Sequence, residues 1–164
     1  MINRSMFSTG KDDWETPDEL FHEYNLTYNF VLDAAGDLAN HKCDVWFGPD
    51  SPVQIYDALD ADWGSYLRQG NIWLNPPYSR GLQKRFVEKA RDEVNSVMGY
   101  RESEFKVVCL LPARTDTKLF HETILPNGDV TFLKGRVKFI NPDGELRKGH
   151  TRNSAPFPSM IVVF

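Results

Sequence analysis

Asn71-Ile72-Trp73-Leu74-Asn75-Pro76-Pro77-Tyr78 sets a short apolar run directly against two consecutive prolines. Ile72-Trp73-Leu74 reads as a buried strand, and the prolines stop it, because neither can donate a ladder hydrogen bond. They also fix the backbone that follows. The side chain of Asn75 and the carbonyl of Pro76 are then held as acceptors in one rigid turn. Such a pair can take both N–H bonds of an amino group and aim its lone pair at an electrophile, without a strong base. Tyr78 can stack on a planar ring beside it. Asn-Pro-Pro is also an ordinary turn; its place straight after a strand favours a site.

The flanking sequence alternates strands and helices. Phe30-Val31-Leu32 is a second buried strand, ending in Asp33-Ala34-Ala35-Gly36, and Val45-Trp46-Phe47 is a third, stopped by Gly48-Pro49. Thr16-Pro17-Asp18-Glu19 predicts a helix start, with Thr16 and Glu19 as a capping box and Pro17 at the first helical position. Leu82, Phe86, Val87, Ala90 and Val94 repeat at helical spacing over 82–97. Val107-Val108-Cys109-Leu110-Leu111 is an unbroken apolar run, the mark of a central strand covered on both faces. A helix is predicted over 115–123, and strands over 130–132, 137–140 and 160–164. The expected architecture is α/β, a Rossmann-like sheet, mostly parallel, with an antiparallel C-terminal edge strand. In such sheets ligands bind at the carboxyl ends of the strands, where Asp33, Asn75 and Arg114 stand.

Length and composition bound the function. At 164 residues, 41% hydrophobic and 13% aromatic, the chain reads as one globular domain rather than a disordered one. No run approaches the ~20 apolar residues of a membrane span. Met1 to Thr9 lacks the apolar segment of an export signal. Cys43 and Cys109 make no disulfide framework, so a cytoplasmic protein is expected. The net charge of −4 does not suit a protein that coats nucleic acid through bulk charge. Positive charge is nonetheless dense from Lys134 to Arg152, where Lys134, Arg136 and Lys138 would share one face of a strand. Arg147, Lys148 and Arg152 follow the turn signal Asn141-Pro142-Asp143-Gly144. The plain reading of these charges is a solvated face; the functional one is contact with phosphates.

Other chemistries lack their residues. The histidines show no ligand spacing, and His41 with Cys43 has no second pair, so no metal is expected. No nucleophile elbow or Walker loop is present.

The ordered set of motifs resembles one family. Asp13-Trp14-Glu15-Thr16-Pro17, Leu32-Asp33-Ala34-Ala35, Asp62-Trp63, Trp73-Leu74-Asn75-Pro76-Pro77-Tyr78, Leu111-Pro112-Ala113-Arg114-Thr115-Asp116-Thr117 and Phe132-Leu133-Lys134-Gly135-Arg136-Val137-Lys138-Phe139 occur in this sequence order. Ala155-Pro156-Phe157-Pro158-Ser159-Met160 closes the set. Together they look like the phage-type DNA N6-adenine methyltransferases, which use S-adenosylmethionine, over nearly the whole chain. Asn-Pro-Pro-Tyr alone would place the chain only in the wider superfamily. One departure is the loop Asp33-Ala34-Ala35-Gly36-Asp37, which has one glycine where many such enzymes have several.

The resemblance implies a single methyltransferase domain over 1–164, in the host cytoplasm if phage-encoded. Asn75, Pro76, Pro77 and Tyr78 match the catalytic turn. Thr16, Pro17, Asp33, Ala34 and Ala35 match the segments that hold the methionine end of S-adenosylmethionine, and Asp62 the acidic position near its adenine. The substrate implied is duplex DNA, with the target adenine flipped out. Arg147, Lys148 and Arg152 are the expected phosphate contacts. The gaps between Asp33 and Asn75 and beyond Phe139 leave no room for a separate recognition domain of typical size. Local roles compete with these. Asp33 could cap its own turn, Asp62 a helix, and Trp14 could be packing; Arg114 and Asp116 could pair. Transfer to an RNA or protein amino group, or nucleic-acid binding without catalysis, are the alternative functions.

Overall fold

The computed structural model describes residues 14–97, 104–140 and 153–164. Its centre is a five-stranded sheet built from β1 (Phe30–Asp33), β2 (Asn71–Leu74), β3 (Val107–Pro112), β4 (Asp129–Phe132) and β7 (Ser159–Val163), in the order β1-β2-β3-β7-β4. β1, β2 and β3 are parallel; β7 runs antiparallel to both of its neighbours. The antiparallel pairing expected late in the chain is therefore present. Its position differs, because β7 lies one place in from the edge and β4 takes the edge. The composition accounts for this: Ser159–Ile161 and Val162 are buried, whereas β4 shows mostly exposed side chains. A strand apolar on both faces belongs inside a sheet. A separate ribbon pairs β5 (Lys138–Phe139) with β6 (Asn153–Ser154).

Period-two alternation distributes the core to both sheet faces. Ile72, Leu74, Val107, Cys109, Leu111, Met160 and Val162 pack with α2 (Arg80–Val97) through Phe86, Val87 and Ala90. Trp73, Val108, Leu110 and Ile161 pack on the other side with α1 (Asp18–Tyr28) through Phe21, and with Val137 and Phe139. Every residue of β3 is buried. The thiol of Cys109, in that strand, is pushed up by burial and stays protonated.

Several local expectations change. Val45-Trp46-Phe47 forms only a bridge from Trp46 to Asp33, with Asp33 N–H donating to Val45 O and Phe47 N–H to Asp33 O. A third bond, from Gly36 N–H to Phe47 O, ends the pairing before Gly48, which has φ +137°. Helix α1 has Pro17 at its N-cap and no side-chain cap, so the capping box does not form; the Thr16 hydroxyl is engaged with Asn75 instead. Its acidic first turn, Asp18 and Glu19, suits the helix dipole. It ends at Asn29 in the left-handed region, while Asn25 Oδ1 accepts from Phe30 N–H at 2.7 Å. The helix expected over 115–123 starts later. Thr117 accepts from Phe120 N–H, and a π-helical stretch, Leu119–Ile124, runs on into Leu125–Asn127. Lys134 and Arg136 lie in a bend around Gly135 (φ +77°), so only Lys138 of the three expected strand lysines and arginine is in a strand. No ion pair joins Arg114 to Asp116 among the described residues; both are exposed.

Candidate active site

β1 and β2 end side by side, with Asp33 opposite Trp73. Their carboxyl ends, the loop 34–42 and the segment 14–16 enclose a cavity of about 180 Å³. Thr16, Asp33, Ala35, Asn75, Pro76 and Pro77 line it, as the sequence predicts. The structure also places Trp14, Glu15, Gly36, Asp37, Asn40 and Lys42 there. A larger hollow of about 670 Å³ lies at the carboxyl end of β3, walled by Gln83, Arg114 and Met160, without the Asn-Pro-Pro turn.

Asn75 is tightly held in the cavity wall. Its Nδ2 donates to Trp14 O at 2.5 Å and to Thr16 Oγ1 at 3.1 Å. Its Oδ1 is buried and has no hydrogen-bond partner among the described residues. A buried acceptor without a donor costs about 1–3 kcal/mol, so it marks a place where a donor belongs.

Asp33 is buried and organises the loop. Oδ1 accepts from Ala35 N–H at 3.1 Å and Oδ2 from Lys42 N–H at 2.9 Å. The turn-capping role thus coexists with a position in the cavity wall. Burial raises its pKa to about 6 despite those two bonds. Asp37 continues the pattern, accepting from Ala39 and Asn40 N–H in an Asx turn. Gly36 packs backbone against backbone on Gly48, where a side chain at Gly48 would meet Gly36 O at 2.1 Å. The one glycine of the loop is therefore matched by a second from the far side.

Four predicted residues lie outside the cavity wall. Ala34 is wholly buried in the core. Pro17 borders a different hollow, beside Lys134 and Arg136. Asp62 sits at the N-cap of the turn Trp63–Tyr66, where the N–H groups of Trp63 and Gly64 donate to Glu93 of α2. Tyr78 is buried; its hydroxyl donates to Leu110 O at 3.1 Å and its ring meets Phe139 and Phe157 edge-on. Arg147, Lys148 and Arg152 fall outside the described residues.

Of the residues not anticipated, Glu15 lay inside a quoted motif, between Trp14 and Thr16. Burial raises its pKa, against the pull of Lys42. Lys42 Nζ lies 3.5 Å from Glu15 and 2.6 Å from the exposed Asp18. No sequence pattern marked Lys42, because its role comes from the fold of the loop.

A profile of the DNA N-6-adenine-methyltransferase (Dam) family matches residues 5–164. The chain belongs to that family. A protein of Escherichia phage T1 named DNA N-6-adenine-methyltransferase is 26% identical over 164 residues, covering 90% of this Dam-family chain. The chain spans 62% of the length of that relative. No helix among the described residues is long and apolar enough to cross a membrane. No metal-binding cluster occurs among them either.

Proposed function

We propose that this Dam-family chain transfers a methyl group from S-adenosylmethionine to the N6 amino group of adenine in duplex DNA. The observation that carries the reading is Asn75, whose Oδ1 is buried without a donor among the described residues, at the carboxyl end of β2. An exocyclic amino group supplies the missing donor. Pro76, which has no N–H of its own to offer, presents its carbonyl as the second acceptor. Two acceptors on one nitrogen hold it in place and aim its lone pair, so positioning and electrostatics do the work.

The cavity chemistry fits the cofactor's cationic end. Glu15, Asp33 and Asp37 bring three carboxylates to it, against one cation, Lys42. Asp33 and Ala35 would hold the methionine part. At about 180 Å³ the cavity is smaller than the ~300–1,000 Å³ typical of sites that enclose a whole drug-sized ligand, which suits one end of an extended molecule. The cofactor supplies a methyl group on a positively charged sulfur. Adenine N6 is out of reach inside a duplex, so the base must be flipped out, at a cost of a few kcal/mol. Tyr78, Phe139 and Phe157 pack on one another behind the turn and would support it from the core side. Arg147, Lys148 and Arg152 would hold phosphates beside it.

The test is transfer of isotope-labelled methyl to adenine-containing duplex DNA, to RNA and to protein in parallel. Label in DNA, recovered as N6-methyladenine, is the expected result. Label in RNA or protein alone would reassign the substrate. Absence of both transfer and S-adenosylmethionine binding would leave a methyltransferase-like fold without catalysis.

A further inference from the structure

Thr16 was expected at the cofactor, yet its hydroxyl is occupied by Asn75. We infer that Thr16 and the Trp14 carbonyl form an orienting clamp that fixes the Asn75 amide with its oxygen toward the substrate. The inference rests on the reading of Asn75 as the acceptor for the target amino group.

The geometry leaves the amide one orientation. The Trp14 carbonyl can only accept, and it lies 2.5 Å from Asn75 Nδ2. Turning the amide over would set two oxygens against each other at that distance. The second Nδ2 hydrogen is taken by Thr16 Oγ1 at 3.1 Å. Both donors are therefore used, and Oδ1 is left unengaged, buried and without a partner among the described residues. The clamp is itself anchored. Ile140 N–H donates to Glu15 O at 3.0 Å, between the two clamp residues. The Trp14 ring stands edge-on to Phe139 and Phe157, at 5.5 and 5.3 Å. Thr16 is 2% exposed, which holds its side chain in place beside Asn75. The segment 14–16 thus acts on the reaction through Asn75, and Thr16 is a positioning residue.

The same contacts select asparagine over aspartate. An aspartate here has no hydrogens to give, and would point a carboxylate oxygen at the Trp14 carbonyl.

The experiment compares Thr16→Val and Thr16→Ser with the wild type. Three quantities are read: the dissociation constant for S-adenosylmethionine, kcat and KM on an adenine-containing duplex, and hydrogen exchange of the Asn75 side-chain amide, assigned by its loss in Asn75→Ala. The expected result for Thr16→Val is a kcat lower by about tenfold, with KM and the dissociation constant unchanged. Amide exchange should be faster by a similar factor, and Thr16→Ser should restore both. Weakened cofactor binding with unchanged amide exchange would make Thr16 a cofactor ligand and overturn the inference. So would an unchanged kcat and exchange rate. If Thr16→Val fails to fold, Thr16→Ala carries the same comparison against Thr16→Ser. If the wild type transfers nothing to DNA, the functional reading falls, while amide exchange still decides whether the clamp exists.

Discussion

The backbone N–H of Lys42 donates to Oδ2 of Asp33 at 2.9 Å, closing a nine-residue loop onto the end of β1. One carboxylate so fixes both the start of that loop, through Ala35, and its return. The loop forms a wall of the cavity, and its hold depends on a buried group that titrates in an accessible range.

For Asp33 the sign is set by burial. Its folded pKa, about 6, stands above an unfolded value of 3.8. The folded state therefore binds more protons between those values, and stability falls as pH rises through the window. The full shift corresponds to about 3 kcal/mol. Unfolding free energies of the wild type and of Asp33→Asn should be measured by denaturant titration from about pH 4 to pH 6. The wild type should lose about 2–3 kcal/mol relative to the variant across that range. A constant difference would mean that Asp33 is solvated.

Lys42 pairs with two carboxylates of unequal worth. Asp18 is the nearer at 2.6 Å, but it is solvated, and such contacts contribute little. Glu15 is half-buried and would be left without a cation. Lys42→Met should therefore cost about 1–2 kcal/mol at neutral pH, between the values for exposed and buried pairs. Adding Glu15→Gln should recover most of it. Failure of the second change to compensate would assign the loss to packing of the lysine stem.

Gly48 and Gly36 offer a contrast of backbone against side-chain neighbours. At Gly48 both the positive φ and the 2.1 Å approach to Gly36 O forbid a Cβ. Gly48→Ala should lose about 3 kcal/mol or more. At Gly36 the nearest atom is 3.1 Å away, and the change should be milder. Equal melting temperatures for the two alanine variants would contradict the contact.

Asn75→Ala should lower methyl transfer by ~10²–10³ while S-adenosylmethionine binding, followed by titration calorimetry, stays near the wild-type value. Full turnover in the variant would remove Asn75 from the reaction.

The proposed phosphate contacts are tested by salt. Replacing Arg147, Lys148 and Arg152 together with alanine should reduce the slope of log K against log salt by roughly 2 to 3 on duplex DNA, with cofactor affinity unchanged. An unaltered slope would move the search to Arg80, Lys84 and Arg85, just after the Asn-Pro-Pro turn.

What the sequence made legible is what local patterning controls. The strands β1, β2 and β3, the amphipathic α2 and the Asn-Pro-Pro turn all follow from apolar periodicity and proline chemistry over a few residues. The pairing of Thr16 with Asn75 was hidden, since 59 residues separate them and a threonine before a proline reads as a helix cap. Tyr78 was legible as part of the motif, but its burial depends on Leu110 and Phe157, from distant strands and loops. The surroundings of Asp62 were hidden for a related reason: the N–H groups of Trp63 and Gly64 that follow it donate to Glu93, from a helix 30 residues on.

The placement of β7 between β3 and β4 has a consequence for synthesis. As the chain leaves the ribosome, β1, β2 and β3 can assemble early, but the outer side of β3 has no partner until Ser159–Val163 has been made. For that interval an apolar strand presents an open ladder, the feature that templates wrong pairing between chains. β4, although made earlier than β7, does not pair with β3; among the described residues its ladder is formed with β7. Nascent chains arrested between β4 and β7 are thus expected to be the aggregation-prone species, and their protection falls to chaperones or to rapid synthesis of β7.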